Sequence, residues 1–425
     1  MTTTTLPTPD APELLTFLGT GAYTEVPYFD ATGEPSDPSE APDAPVIRTR
    51  FIQAALAALH RPSRITVLCT DAAWTKHGDA LTAELTALGA PTPEHIRIGG
   101  GGSHDDLWSL FSTTAELLER HDTPLLLDIT HGFRVQPFFA ASALTLLRAL
   151  DGRRPIRIVY GAFEAKDAHE GRAPIWDVTA TLDVVEWSIA AGRFLGSGRA
   201  ADLARPTKQL GRELSKRWAQ SGRLGDPPEL QRLGKALIQF GNDLDALRIG
   251  KLLLGPDCSG GSAHQLYRAI EAARADVERH LPVLHQVLER IADRIRPLTV
   301  NVRDGAADHL GSPTGLQALA ALARAYLDWG RVAECIVVLR EGHTCTVAAP
   351  EACRPGQSDF DSDARHAADE KIGLQMGSDG ALIDLRNDTI HGEFRRSSRP
   401  AKTILEQARE LVASFEREVA HPSSE

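Results

Sequence analysis

The sequence predicts an α/β sheet domain followed by an all-helical domain. In the first 181 residues, short apolar runs alternate with longer amphipathic stretches, and several runs end in glycine or a small polar residue. Strands that alternate with helices form parallel sheets with right-handed crossovers, so we expect a Rossmann-like parallel sheet. From residue 182 to residue 425, helical periodicity dominates. We therefore place a sheet domain at 1–181 and a helical domain at 182–425.

The elements of both domains follow from the apolar pattern and the turn residues between them. Sheet-domain strands are predicted at 14–18, 64–70, 95–98, 124–127, 156–163 and 175–178, with helices at 48–59, 72–88, 105–120 and 136–150. Further helices are predicted at 182–203, 200–210, 230–254, 263–292 and 315–340. The polar stretch 342–363 is interpreted as an insertion that is poorly ordered.

The composition restricts the class of protein. A net charge of −11 argues against a protein that coats nucleic acid through its overall charge, so any RNA contact must be local. The five cysteines form no Cys-x-x-Cys pair, which suggests neither a disulfide framework nor a zinc knuckle. No apolar run reaches membrane-spanning length, and the N-terminus lacks a signal-peptide pattern. We expect a reduced, cytoplasmic protein without a membrane partner.

Candidate ligand-binding residues follow two of the predicted strands. The first strand runs into Gly19, Thr20 and Gly21, where an open α/β sheet places ligand phosphates. After the fourth strand, Thr130, His131 and Arg134 offer groups for a phosphate or a base edge. The alternatives are structural: a plain tight turn at the glycines, a cap at Asp128 and a turn residue at His131.

Candidate catalytic residues lie near the C-terminus, in the sequence Arg386-Asn387-Asp388-Thr389-Ile390-His391. Residues four apart share a helix face, so Asn387 and His391 are expected to point the same way, with the long side chain of Arg386 bending toward them. In metal-independent RNA cleavage the ribose 2′-OH is the nucleophile. The reaction then requires a cationic guanidinium that binds the phosphate, an amide that holds a hydroxyl or water, and an imidazole for proton transfer. The alternative is a solvated helix face or an N-terminal cap.

Three motifs in this order resemble one known family. They are Phe-Leu-Gly-Thr-Gly-x-Tyr at the N-terminus, Asp-Ile-Thr-His-Gly-Phe-Arg in the centre and Arg-Asn-x-x-x-His near the C-terminus. With them the chain resembles, over almost its whole length, the CARF–HEPN ribonucleases, which are ancillary effectors of type III CRISPR systems in antiviral defence. The resemblance implies a CARF-like sheet domain, a helical linker and a HEPN-like helical domain.

The resemblance also implies an activity. Such proteins pair as homodimers or larger assemblies, bind a cyclic oligoadenylate, most often cyclic tetra-adenylate, and cut single-stranded RNA without a metal or other cofactor. The family's ligand positions correspond here to Gly19, Thr20, Gly21, Thr130, His131, Gly132 and Arg134, and its catalytic positions correspond to Arg386, Asn387 and His391. The chain departs from the family pattern at two places. One is the 342–363 insertion, and the other is the lack of a lysine beside Arg134, which leaves the size of the cyclic oligoadenylate open.

Two other functional classes are weighed against this one. A non-enzymatic sensor would bind a nucleotide in the sheet domain and a protein or DNA partner through the helical domain, which suits the acidic balance. A dehydrogenase or hydrolase is disfavoured, because no Gly-x-Gly-x-x-Gly follows the first strand and no nucleophile elbow is present.

Overall fold

The computed structural model describes most of the chain and divides it into two compact units, Met1–Glu186 and Trp187–Glu425. The described residues are 11–31, 45–100, 102–119, 123–131, 135–150, 154–300, 309–376, 381–392 and 398–421.

The described residues of the first unit form an eight-stranded mixed sheet. Its strands are β1 Glu13–Leu18, β2 Val26–Asp30, β3 Val46–Thr49, β4 Arg64–Cys69, β5 Glu94–Arg97, β6 Leu125–Asp128, β7 Ile156–Gly161 and β8 Ala173–Asp177. Their spatial order is β3-β2-β8-β7-β6-β1-β4-β5. The strands β7, β6, β1, β4 and β5 are mutually parallel, which confirms the α/β prediction for the centre of the sheet.

The prediction of a wholly parallel sheet is wrong at one edge. Strand β8 runs antiparallel to β7, and β3 runs antiparallel to β2. Only residues 162–172 join β7 to β8, and they contain a short 3-10 helix. A parallel crossover needs about a dozen residues or more, so the chain turns back instead.

Four helices flank the sheet: α1 Ile52–His60, α2 Asp71–Ala87, α3 His104–Glu119 and α4 Val135–Leu150. The predicted helix 48–59 begins later than expected, because residues 46–49 pair with β2 as a strand. Side chains alternate across β1, so Leu14 and Leu18 join the core beneath α1 and α2, whereas Leu15 and Phe17 join the core beneath α3 and α4. The sheet is therefore covered on both faces.

The strand order creates one crevice at the carboxyl edge of the sheet. After β1 the chain forms the edge strands β2 and β3, returns through α1 to place β4 and β5 on the other side of β1, and then crosses back to place β6 and β7. On the two sides of β1, the helices that follow β4 and β6 pack on opposite faces of the sheet, α2 on one and α4 on the other. In open α/β sheets, ligands bind at this reversal, outside the carboxyl ends of the strands.

The second unit is helical throughout its described part. The chain enters it through α5 Ala180–Ser197, within which the division between the units falls. The following helices are α6 Ala200–Gln220, α7 Leu230–Asp245, α8 Ile249–Leu253, α9 Ser262–His280, α10 His285–Ile295, α11 Pro313–Asp328, α12 Val332–Val347, α13 Ser362–Met376, α14 Ala381–Ile390 and α15 Ala401–Ala420.

Three predicted long helices are each broken into a pair. The stretch 230–254 divides into α7 and α8, with Leu247 between them at a φ of +52°. The stretch 263–292 is interrupted by a 3-10 turn that starts at Pro282, whose ring cannot continue the preceding helix. The stretch 315–340 is interrupted at Gly330, which adopts a φ of +71°. This left-handed conformation is typical of a glycine that ends a helix, and α12 starts two residues later.

The prediction of a poorly ordered insertion at 342–363 is wrong. Its first residues continue α12 to Val347, and a 3-10 turn follows at Pro350–Cys353. Ala352 and Cys353 are buried, and the Cys353 carbonyl accepts a hydrogen bond from the Leu310 N–H (2.9 Å). None of the five cysteines, all of which are described, forms a disulfide bond.

Among the described residues, no helix combines the length and the apolar character that a membrane crossing requires.

Candidate functional site

A cavity of 440 Å³ occupies the crevice at the carboxyl ends of β1 and β6. This volume falls in the range of about 300–1,000 Å³ that small-molecule sites occupy. Of the seven predicted ligand residues, the five that are described all line it: Gly19, Thr20, Gly21, Thr130 and His131. Gly132 and Arg134 lie outside the described residues. The structure thus brings together two motifs that are more than a hundred positions apart.

The Gly19–Gly21 loop is held in place by the motif's own Tyr23 and by two side chains of α2 that no sequence motif contains. The Tyr23 hydroxyl accepts a hydrogen bond from the Gly19 N–H (2.8 Å) and donates to the Gly19 carbonyl (3.1 Å). From α2, Lys76 Nζ donates to the Thr20 carbonyl (2.7 Å), and His77 Nε2 donates to the Gly21 carbonyl (2.8 Å). The loop is therefore a preformed wall of the cavity, and the Gly19 N–H is already engaged.

The second motif contains a buried polar network. Asp128 is completely buried; one of its carboxylate oxygens accepts a hydrogen bond from the Thr16 hydroxyl (2.6 Å), and the other accepts from the N–H and hydroxyl of Thr130. The Thr130 hydroxyl also accepts from the Gly161 N–H (2.8 Å). Asp128 and Thr130 thus join β1, β6 and β7 just below the cavity, which is a structural role for both side chains.

Aromatic rings and a neutral imidazole form the floor of the cavity. The Tyr23 ring lies between His77 and His131, with centroid distances of 4.7 and 4.5 Å. Burial lowers the pKa of His131, against the opposing effect of Asp128, so the ring is neutral at neutral pH. Burial likewise raises the pKa of Tyr23 to about 12. A neutral imidazole suits the edge of a base better than a phosphate, whereas the exposed Arg50 supplies positive charge to the cavity wall.

Replacing Asp128 by alanine is expected to lower the free energy of unfolding of the sheet unit by about 3 kcal/mol, because the Thr16 hydroxyl and the Thr130 N–H lose their buried acceptor. Urea unfolding measures the change. Asp79→Ala, at an exposed position on α2, is the matched control and should change stability by less than about 0.5 kcal/mol. Equal losses in the two variants would contradict the assigned role of Asp128.

The predicted catalytic residues lie at the end of α14. Arg386 and Asn387 are half-buried, and Arg386 Nη1 donates a hydrogen bond to Asn387 Oδ1 (3.0 Å). His391 follows the last helical residue and is exposed, while its backbone N–H still donates to the Asn387 carbonyl (3.1 Å). The arrangement offers an oriented guanidinium for an anion and, five residues further along the chain, an imidazole that solvent can reach.

Two residues to which the sequence assigned no catalytic role connect this motif to the segment that precedes α15. Asp388 is buried, and its Oδ2 accepts a hydrogen bond from the Arg399 backbone N–H (2.8 Å). The Arg399 guanidinium lies 3.7 Å from the same carboxylate and 3.8 Å from Asp384. The acid next to Asn387 therefore fixes the turn of helix that presents the motif. Asp388 differs from a surface residue only in its burial between two half-buried neighbours, and burial cannot be read from the local sequence.

Within the described ranges, no three His, Cys, Asp or Glu side chains come together as a metal-binding group. No protein-family model matches the chain, and no curated protein matches it either.

Proposed function

We propose that this chain is an endoribonuclease that is switched on by a cyclic oligoadenylate, as the resemblance to CARF–HEPN ribonucleases implies. The observation that carries the proposal is a conjunction within one chain. A preformed cavity lies at the reversal point of an α/β sheet, and an Arg–Asn pair with an exposed histidine ends a helix of the second unit. Neither feature alone specifies the activity.

The chemistry of the cavity fits an adenine nucleotide. Tyr23, Tyr160 and Phe163 line it with aromatic surface, His131 adds a neutral donor and acceptor, and Arg50 adds positive charge for a phosphate. A cyclic oligonucleotide repeats the same unit around a rotation axis. A two-fold pair of chains would present the cavity twice, so each chain would hold half of the ring.

The residues at the end of α14 fit phosphodiester cleavage by an internal nucleophile. His391 would take the proton from the ribose 2′-OH or return one to the leaving oxygen, and Arg386 would stabilise the charge that develops on the phosphate. Asn387, as acceptor of the Arg386 hydrogen bond, would orient the guanidinium. One chain supplies a single arginine and a single histidine, which are few groups for this reaction, whereas a homodimer supplies two of each.

An exposed apolar surface on the sheet unit supports self-association. Trp108 on α3 is 55% exposed, and Phe138 and Leu146 on α4 are 70% and 44% exposed. Trp108 contacts Phe111 and Phe139 edge to face, so these rings form one continuous patch on two packed helices. Large exposed apolar patches mark sites of interaction.

Replacing Phe138 by glutamate is therefore expected to raise the dissociation constant of the dimer by about tenfold or more, because a charge replaces a large aromatic contact. Sedimentation velocity over a concentration series measures it. Leu224→Glu is the matched control, since Leu224 is 77% exposed on a loop of the helical unit. If the dimer dissociation constant rises equally in both variants, or in neither, the α3–α4 patch is not the dimer interface.

Analysis of the RNA ends tests the proposed reaction. In the presence of EDTA and cyclic tetra-adenylate, cleavage of a single-stranded RNA should leave 2′,3′-cyclic phosphates and 5′-hydroxyls, because the 2′-OH displaces the 5′-oxygen. Products that carry 5′-phosphates would indicate attack by water and would contradict this assignment of roles. Tight binding of the ring without RNA turnover would instead favour the non-enzymatic sensor.

A further inference from the structure

The exposed faces of α7 and α9 enclose a groove of 510 Å³ that no part of the proposed site uses. From α7 it is lined by Arg232, Lys235 and Gln239, and from α9 by His264, Gln265 and Arg268. Two alanines complete the lining, and no carboxylate contributes to it. The groove is thus basic and polar in a chain whose net charge is −11.

The groove follows from the amphipathic patterns of the two helices. On α7, Leu230, Leu233, Leu237, Phe240 and Leu244 are buried in the core of the unit. Arg232, Lys235 and Gln239 are exposed on the other side of the same helix. On α9, the buried Leu266 and Ile270 alternate with the exposed Arg268 in the same way. The packing of the two helices therefore sets their basic residues side by side.

The cations of the groove are poorly neutralised by the protein. Among the described residues, Lys235 and Arg268 have no hydrogen-bond or ion-pair partner. Arg232 is 72% exposed and reaches only Glu229, at 3.8 Å. By contrast, Arg324 and Arg331 in the same unit bind carboxylates at 2.6–2.9 Å. Like charges left together repel one another, so a bound anion would stabilise them.

Helix α6, which packs against α7, carries further cations. At Gly234 of α7, an added Cβ would lie 2.3 Å from Cγ of Lys208, so the glycine is what allows this lysine to lie across α7. Arg212 and Lys216 follow Lys208 at intervals of four residues and therefore share its face of α6. Three cations spread along one groove match a chain of phosphates better than they match a single small anion.

We propose that the groove between α7 and α9 binds the sugar-phosphate backbone of single-stranded RNA, and this inference rests on the proposed ribonuclease function. The cations contact phosphates. The amide nitrogens of Gln239 and Gln265 donate to Asp243 and to the Gly260 carbonyl, which leaves their amide oxygens to accept from ribose hydroxyls. No Phe, Tyr or Trp side chain lines the groove, so no large ring is available for bases to stack on, and we expect binding to depend little on RNA sequence. The strong negative charge of the whole chain disfavours a long stiff duplex, which would extend beyond this local surface.

The test is RNA binding measured without cleavage. A labelled single-stranded RNA is titrated by fluorescence anisotropy, in EDTA, against the full chain carrying His391→Ala. Adding Lys235→Ala and Arg268→Ala should raise Kd by about tenfold or more at low salt and reduce the slope of log K against log salt by about 0.7 for each lost contact. Lys235→Arg with Arg268→Lys should restore both quantities, since the charges remain.

The control is a double variant that removes two positive charges at positions outside the groove. Arg64→Ala and Arg290→Ala, at exposed positions on β4 and α10, should leave Kd and the salt slope almost unchanged. Unchanged RNA binding in the groove variant, or equal losses in both pairs, would overturn the proposal. Loss of duplex DNA binding with retained RNA binding would also overturn it. The two proposals can fail separately. If the groove variant binds RNA more weakly but the wild-type chain cleaves no RNA with any cyclic oligoadenylate, RNA binding by the groove is supported and the ribonuclease proposal is contradicted.

Discussion

Replacing His391 by alanine is expected to lower the rate of activated RNA cleavage by about 10²-fold or more, which is the usual loss when a general acid–base group is removed. The side chain is exposed at the end of α14, so its removal leaves no cavity and should not change stability. Single-turnover cleavage with saturating activator measures the chemical step itself.

His366→Ala is the control for this prediction. It removes another exposed histidine of the helical unit, from α13, and should retain the wild-type rate. Cyclic tetra-adenylate should bind the His391→Ala chain as tightly as it binds the wild type. A His391→Ala rate within a factor of about three of the wild type would place the proton transfer on another residue.

Replacing Gly21 by phenylalanine is expected to abolish the response to the activator. An added Cβ at Gly21 meets no atom within 4 Å, and Gly21 is not among the glycines with positive φ, so a larger residue fits the backbone there. Its ring would instead occupy the cavity that Gly21 lines. We expect Kd for cyclic tetra-adenylate to rise by about 10²-fold, as a filled pocket forfeits most of its contacts.

Isothermal titration with the ring, together with cleavage assays, measures this effect. Gly102→Phe is the control, because Gly102 also faces open space and does not line the cavity. The basal cleavage rate without activator should be the same in both variants and in the wild type. Normal ring binding by Gly21→Phe would move the ligand site away from this cavity.

Local patterns in the sequence were sufficient to predict the centre of the sheet. The run Leu14–Leu18 is apolar except for Thr16 because β1 is covered on both faces, and the glycine turn after it marks where the strand ends. Strands β2 and β3, at one edge of the sheet, were not predicted, and the reason is physical. Strand β2 contains Pro27, and prolines are depleted in strands except at edges, so the sequence signal for β2 is weak.

The candidate site was predictable only where it consists of contiguous motifs. Gly19–Gly21 and Thr130–His131 were found because each follows an apolar strand. Lys76 and His77 form no motif on α2, and they reach the glycine loop only because α2 follows β4, the strand next to β1. The hydrogen bond from Arg399 to Asp388 is a tertiary contact of the same kind, which no local spacing predicts.

The central claim is that occupancy of the cavity beside β1 controls cleavage at the end of α14. The most direct measurement is the rate of single-stranded RNA cleavage by the wild-type chain in EDTA, with and without a saturating cyclic oligoadenylate, tested with the tetra-adenylate and with larger rings. The account predicts a large rate increase with one ring size, and no increase when Gly21 is replaced by phenylalanine. Equal rates with and without every ring would contradict it.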